Sequence, residues 1–224
     1  QELGNIIPLE DRIVTVLTQV LVDPDDPAFD KPTKHVGPIY DRDQAEKLRK
    51  EKGWSMAADG EYFRRVVPSP LPQRIIELSA IRMLVDSGVV VICAGGGGIP
   101  TAHDKDKKLY GIEAVIDKDL AAALLSKELD ADMFVMLSDV ARVYADFGTP
   151  QQRPILAAHP DALQEIEFAE GSMGPKVRGA CQFVRETGKK SAIGQLSDLV
   201  QIMKGEAGTL ISNNIDGLVY GRPQ

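Results

Sequence analysis

Short apolar runs rich in β-branched residues recur along this chain, and most are followed by a turn and a helical pattern. The clearest is VVVICA at positions 89–94, apolar throughout. A strand with no polar face must be covered on both sides, and a helix returning after each strand supplies that cover. Further strands are expected at 13–22 (IVTVLTQVLV), 113–116, 133–137, 191–194 and 209–211. Helices are expected at 43–52, at 73–87, from Asp119 onward, at 175–186 and at 197–203. Positions 73–87 carry Ile75, Ile76, Leu78, Ile81, Leu84 and Val85 at helical spacing, and Gly88 ends the pattern. The alternation predicts an α/β fold with a mainly parallel central sheet.

Residues 23–70 break this grammar. They open on DPDDP and remain polar and turn-dense, with one helical interruption, as a lid or small protruding subdomain would. The polar excursion 102–109 and the stretch 138–152 read as loops. With 33 acidic and 26 basic residues the chain carries a net charge of -7, which speaks against nucleic-acid binding but leaves room for a small anion held by a few lysines. No apolar stretch is long enough to span a bilayer. The two cysteines, Cys93 and Cys181, make no disulfide framework and fit a reducing cytoplasm. His35, His103 and His159 are scattered, so no metal site is expected. The chain begins QELGN and is expected to start within a longer protein.

In open α/β sheets ligands gather at the carboxyl ends of strands. One such end carries Gly95, Gly96, Gly97 and Gly98. Consecutive glycines lose much backbone entropy on folding, which points to a cradle of amides approaching an anion; the alternative is a plain tight turn. In GSMGPK (171–176), Pro175 suits a first helical turn, where Lys176 opposes the helix dipole unless an anion docks there or the side chain reaches into water. At Asp117-Lys118-Asp119 an expected strand runs straight into a helix. Asp119 is read as the N-cap, and Asp117 and Lys118 either as solvated charges or as groups placed around a transferring phosphoryl. Lys34, alone in the long insertion, reads from local sequence as a surface lysine.

Taken together, VLTQVLVDPDDPAFDKPTKHVGPIY (16–40), RRVVPSPLPQRIIE (64–77), VVICAGGGGIP (90–100), AVIDKDLAAALL (114–125), MLSDVARVYADFGTPQQ (136–152), FAEGSMGPKVRGACQFV (168–184) and KGEAGTLI (204–211) resemble the carbamate kinases of the amino-acid kinase family. The resemblance runs nearly the whole chain in order. It implies a three-layer α/β/α sandwich, with residues 23–70 as the protruding subdomain. The implied reaction is reversible phosphoryl transfer between carbamoyl phosphate plus ADP and carbamate plus ATP, in arginine fermentation, with Mg²⁺ on the nucleotide and a homodimeric assembly. By the same resemblance, Lys118 and Lys176 contact the phosphate oxygens and the spread charge of the transferring group, and Asp119 orients the lysines. Lys34 closes over the carbamoyl or phosphate end of the substrate, and Gly95, Gly96, Gly97 and Gly98 line the floor near the phosphates. Ser138, Asp139, Tyr144, Met173 and Pro175 shape the nucleotide pocket.

The departures carry expectations of their own. The family's opening strand and Gly-Gly-Asn phosphate loop do not occur in these residues, so the chain is expected to be a partial kinase domain. Residues 57–63 differ from the family's acidic, glycine-containing run, and 212–224 extend past its usual end as a tail without fixed structure. The alternatives are a related acyl-phosphate kinase, a carbamate-kinase-like carbamoyl phosphate synthetase, or a catalytically incomplete nucleotide-binding fragment.

Overall fold

The structure, a computed structural model, describes residues 2–7, 12–169 and 171–222. The chain divides into two units, residues 1–121 and 122–224.

The first unit begins with α1 (Glu2–Ile6), β1 (Ile13–Thr15) and β2 (Gln19–Leu21). The single strand expected at 13–22 is thus two strands in two sheets. Thr18 accounts for the break: its hydroxyl donates to Val16 O (2.9 Å) and accepts from Ala94 N (2.8 Å), drawing the backbone away from continuous pairing. The insertion then supplies β3 (Lys34–Tyr40), α2 (Arg42–Lys52), β4 (Met56–Asp59) and β5 (Tyr62–Val67). These strands form an antiparallel sheet in the order β3-β5-β4. Asp41 and Gln44 cap α2 reciprocally, and Gly53, at φ +66°, ends it.

Next come β6 (Arg74–Ile75), α3 (Leu78–Asp86), β7 (Val90–Ile92), β8 (Ile99–His103), β9 (Leu109–Gly111) and α4 (Lys118–Glu128). The helix expected from 73 starts later because Arg74 and Ile75 pair with β2, while the Glu77 carboxylate accepts from the Gln19 backbone and side-chain amides at 2.7 and 2.9 Å. β1 pairs with β7 and β2 with β8, both in parallel. The expected polar excursion is a β8–β9 hairpin, its turn closed by Asp104 Oδ1 accepting from the amides of Asp106 and Lys108. No strand forms at 113–116, where Val115 N instead donates to Pro68 O at 2.9 Å. Val20, Val22, Ile75, Ile81, Ala102 and Ile116 are buried.

α4 passes from the first unit into the second, which continues with β10 (Met133–Ser138), β11 (Val143–Ala145), β12 (Arg153–Ala158), α5 (Pro160–Gln164), α6 (Met173–Thr187), β13 (Lys190–Gln195), α7 (Leu199–Lys204), β14 (Thr209–Ile211) and β15 (Leu218–Tyr220). The sheet order is β10-β13-β14-β12-β11, with β15 also on β12. β10–β13 and β12–β14 are parallel pairs, and the other pairings are antiparallel. The stretch 138–152 holds β11, hairpinned onto β12. Residues 212–222 do not trail off as a tail: Leu218–Tyr220 pairs with β12, and Arg153 lies over the Tyr220 ring at 4.1 Å. Positions 223 and 224 lie outside the described residues.

α6 presents Val177, Ala180, Cys181 and Val184 at helical spacing, all buried, toward a core that includes Phe134, Ile155, Leu163, Ile193 and Ile211. Phe134 and Phe183 meet at a 5.6 Å centroid distance, tilted by 54°. No helix among the described residues is long and apolar enough to cross a membrane.

Candidate active site

In the first unit the glycine loop follows β7 directly, and its four glycines serve different ends. Gly97 is buried at φ +132°, and a Cβ there would lie 2.2 Å from Ile116 O and 2.9 Å from Ile116 C. Gly98, at φ +90°, would put a Cβ 2.6 Å from Val20 Cγ2. Gly97 is required by the close approach of the Ile116 backbone, Gly98 by the Val20 side chain, and both by their conformation. Gly95, at φ +49°, needs the left-handed region, as does neighbouring Ala94 at φ +60°. Gly96 is exposed, its φ lies outside the left-handed region, and a Cβ would meet nothing within 4 Å. Packing therefore gives no reason for glycine at that position. Gly95 N and Gly97 N donate to Cys93 O and Ala94 O, whereas among the described residues no backbone acceptor takes Gly96 N–H or Gly98 N–H.

Because Gly97 packs on the Ile116 peptide, the loop is held against the segment entering α4. Asp117, not Asp119, caps that helix: its Oδ1 accepts from Asp119 N at 2.9 Å and Leu120 N at 3.2 Å. Asp119 is already inside the first turn, where its backbone N–H is one of those needing an acceptor. Both carboxylates precede or open the helix in sequence, and backbone direction alone decides which one turns back on the amides.

The other oxygen of Asp117 accepts from Lys34 Nζ at 2.7 Å, across 83 positions of sequence. The Asp117 side chain is 9% exposed and that of Lys34 33%. Burial raises the Asp117 pKa, but the Lys34 hydrogen bond and charge, with the Leu120 and Asp119 amides, outweigh it and hold the carboxyl below its usual range. An ammonium has three donors, and Asp117 takes one, so the partly exposed Lys34 retains donors for an anion. Lys118 Nζ lies 3.8 Å from Asp119 Oδ2, its side chain 58% exposed while that of Asp119 is 10% exposed. Arg65 donates to Glu113 at 2.6 Å and stacks on Trp54, further tying β5 to the segment before α4.

The structure thus brings Lys34, Lys118, Asp119 and the glycine loop to the start of α4. It adds Asp117, which local sequence leaves open between a solvated charge and a group placed around a transferring phosphoryl. The available signal was its place directly after AVI and before a helix, but Asp119 matched the same signal. Cys93, next to the loop, has its thiol pKa raised by burial, contrary to what a nucleophile needs.

The remaining expected residues lie in the second unit. Ser138 ends β10, level with Gln195 at the end of the parallel β13, and its hydroxyl donates to Asp139 Oδ1 at 3.0 Å. Tyr144 on β11 faces Phe147 at 6.0 Å. Met173, Pro175 and Lys176 form the first turn of α6, with Met173 packed on the core and Pro175 buried. Gly174 N donates to Ala169 O at 3.0 Å. Beside this turn a hollow of about 580 Å³ is lined by Gln164, Ile166, Glu167, Phe168, Gly174, Val177 and Arg178. Ser138, Asp139 and Tyr144 are not part of its lining.

Known proteins bear on this arrangement. A profile of the Amino acid kinase family matches residues 29–195. The chain is 54% identical over 220 residues to a carbamate kinase of Haemophilus influenzae, covering 98% of this chain and 71% of that protein. It is 48% identical to a carbamate kinase of Rhizobium meliloti, covering 98% and 68%. The solved carbamate kinase from Giardia lamblia bound to AMP-PNP superposes with a TM-score of 0.80 at 41% identity, over 90% of this chain and 66% of that one. The chain therefore spans about two thirds to seven tenths of these relatives' length. With matches of this extent and a shared fold, the chain belongs to the amino acid kinase family, within its carbamate kinase branch.

Proposed function

We propose that the chain carries the phosphoryl-transfer chemistry of carbamate kinase, the reversible exchange of carbamoyl phosphate and ADP for carbamate and ATP, as in arginine fermentation. The observation that carries the reading is the convergence of Lys34, Lys118 and the glycine loop on the start of α4, at 54% identity to a carbamate kinase. Phosphoryl transfer asks for positioning and charge stabilisation more than for a nucleophilic side chain, and this cluster offers cations, amides and a helix start.

In this reading Lys118, exposed beside the buried Asp119, meets the charge that spreads over the transferring oxygens, and Asp119 restrains its direction. Lys34 lies over the carbamoyl or phosphate end with the donors that Asp117 leaves it. The N–H groups of Gly96 and Gly98 take phosphate oxygens. In the second unit, Lys176 in the first turn of α6 serves, by the family resemblance, the phosphate oxygens and spread charge of the transferring group, and Ser138, Asp139, Tyr144, Met173 and Pro175 shape the nucleotide pocket. Mg²⁺ arrives with the nucleotide as part of the substrate. Among the described residues no group of three or more His, Cys, Asp or Glu side chains is placed to hold an ion, and both Asp117 oxygens are engaged. A homodimer in the cytoplasm follows the family resemblance.

The test is ATP formation by the purified protein from carbamoyl phosphate and Mg·ADP, read by a coupled assay. Acetate and N-acetylglutamate with ATP serve as competing acceptors. ATP formed from carbamoyl phosphate supports the reading. Phosphorylation of an acyl acceptor with none from carbamoyl phosphate overturns it. Sedimentation equilibrium reads the dimer.

A further inference from the structure

We propose that Asp117 is a positioning residue for the reaction, one carboxylate that seats Lys34 and the start of α4 in a single frame. The proposal rests on the phosphoryl-transfer reading and adds a residue to it. Oδ1 accepts the amides of Asp119 and Leu120, which sets where Lys118 and Asp119 leave the helix. Oδ2 accepts Lys34 Nζ at 2.7 Å. Each oxygen therefore places one half of the cation set. The carboxylate cannot drift, because the Ile116 peptide before it is packed under Gly97 and Val115 N is held by Pro68 O.

Without this anchor Lys34 has a long, rotatable stem at the edge of the insertion, with its side chain one-third exposed. A free lysine stem samples many rotamers, and an ammonium that must be found by search contributes less to a transition state than one already in place. The anchor is compatible with substrate binding, since two N–H donors remain. Asp117 touches no reacting atom in this scheme: Oδ2 acts through Lys34 and Oδ1 through the start of α4.

Three variants test this: Asp117→Asn, which keeps an oxygen for the helix cap and removes the charge; Lys34→Ala; and the double variant. Carbamoyl phosphate and Mg·ADP are varied separately. Asp117→Asn is expected to lower kcat about tenfold and raise KM for carbamoyl phosphate, with KM for ADP within about twofold. The double variant is expected to be no slower than Lys34→Ala alone, because the substitution leaves the cap an oxygen and removes only the hold on that lysine. Effects that multiply, or a KM for ADP that rises equally, would show that the carboxylate charge acts other than through Lys34 and overturn the proposal.

A second readout is independent of turnover. Reductive methylation of lysines, followed by mass spectrometry of the peptide holding Lys34, is expected to run severalfold faster in Asp117→Asn. Equal rates in the two proteins would overturn the anchor. Should the parent protein form no ATP from carbamoyl phosphate, the functional reading fails while the methylation comparison still decides the positioning claim. Lys34→Met, which leaves the cap intact, is expected to reproduce the raised KM for carbamoyl phosphate if Asp117→Asn proves too unstable to assay. A wild-type KM in that variant would count against the proposal.

Discussion

Alanine in place of Gly97 is the substitution for which the structure supplies the firmest magnitude. The added Cβ would lie 2.2 Å from Ile116 O, about 1 Å inside an ordinary C···O contact. The obstacle is backbone, so no side-chain rotation relieves it. The residue also sits at φ +132°, a conformation L side chains rarely adopt, at about 1–3 kcal/mol. Overpacking adds about 1–3 kcal/mol, for roughly 2–6 kcal/mol in all. For a chain of this length that corresponds to roughly 5–20 °C in Tm. Thermal unfolding followed by circular dichroism reads it, and ATP formation should fall with it, because relief of the clash moves the segment that carries Asp117, Lys118 and Asp119. Gly96→Ala is the matched control. It meets nothing within 4 Å and is expected to keep or slightly raise Tm, while its methyl intrudes where an anion would meet the loop amides and lowers activity. A Gly97→Ala protein with unchanged Tm would refute the packing argument, and a fully active Gly96→Ala would refute the cradle.

Three further outcomes are expected. Lys118→Ala and Lys176→Ala, assayed separately, should each lower kcat by at least about 10²-fold with little change in Tm, as for loss of a transition-state contact; an unchanged kcat would return that lysine to the surface. The depressed pKa of Asp117 means that its ion pair contributes stability above the unfolded-state carboxyl value and loses it as pH falls through the lower folded value, so the stability gap between the parent and Asp117→Asn should shrink as denaturation midpoints are compared from pH 7 to pH 3. Cys181 is fully buried and its thiol is pushed up to about 12, so in the native protein it should resist a disulfide-forming reagent at pH 8 and react only on unfolding, as timed absorbance release would show.

Much of the second unit could be read directly from its residues. The strand at 209–211 falls where TLI predicts it, and the strand expected at 191–194 extends by one residue at each end, because a short apolar run between turn residues satisfies sheet geometry by itself. The same holds for α6, whose Val177, Ala180, Cys181 and Val184 repeat at helical spacing and whose end is marked by Gly188 at φ +71°. The β8–β9 hairpin leaves no signal in the sequence, because β9 is exposed along its length and carries no apolar alternation. The run 13–22 looked continuous because nothing local announces that the Thr18 hydroxyl will engage Val16 and Ala94 instead of leaving the ladder intact.

The candidate site divides along the same line. Residue types near a strand end, the glycine run and the lysine-aspartate cluster were visible in sequence, since the chemistry of anion binding draws on few kinds of group. Their roles were not. Asp117 and Asp119 are chemically identical and two positions apart, and only the backbone path into α4 turns the first onto the helix amides. Lys34 was indistinguishable from a surface lysine until folding carried it across 83 positions to within 2.7 Å of Asp117. Local periods, helix ends and the inventory of charged and glycine residues depend on near neighbours and are legible in the order of the residues. The tertiary structure alone decided which carboxylate caps, which lysine it holds and which glycines cannot bear a side chain, because each of those depends on atoms brought together from distant parts of the chain.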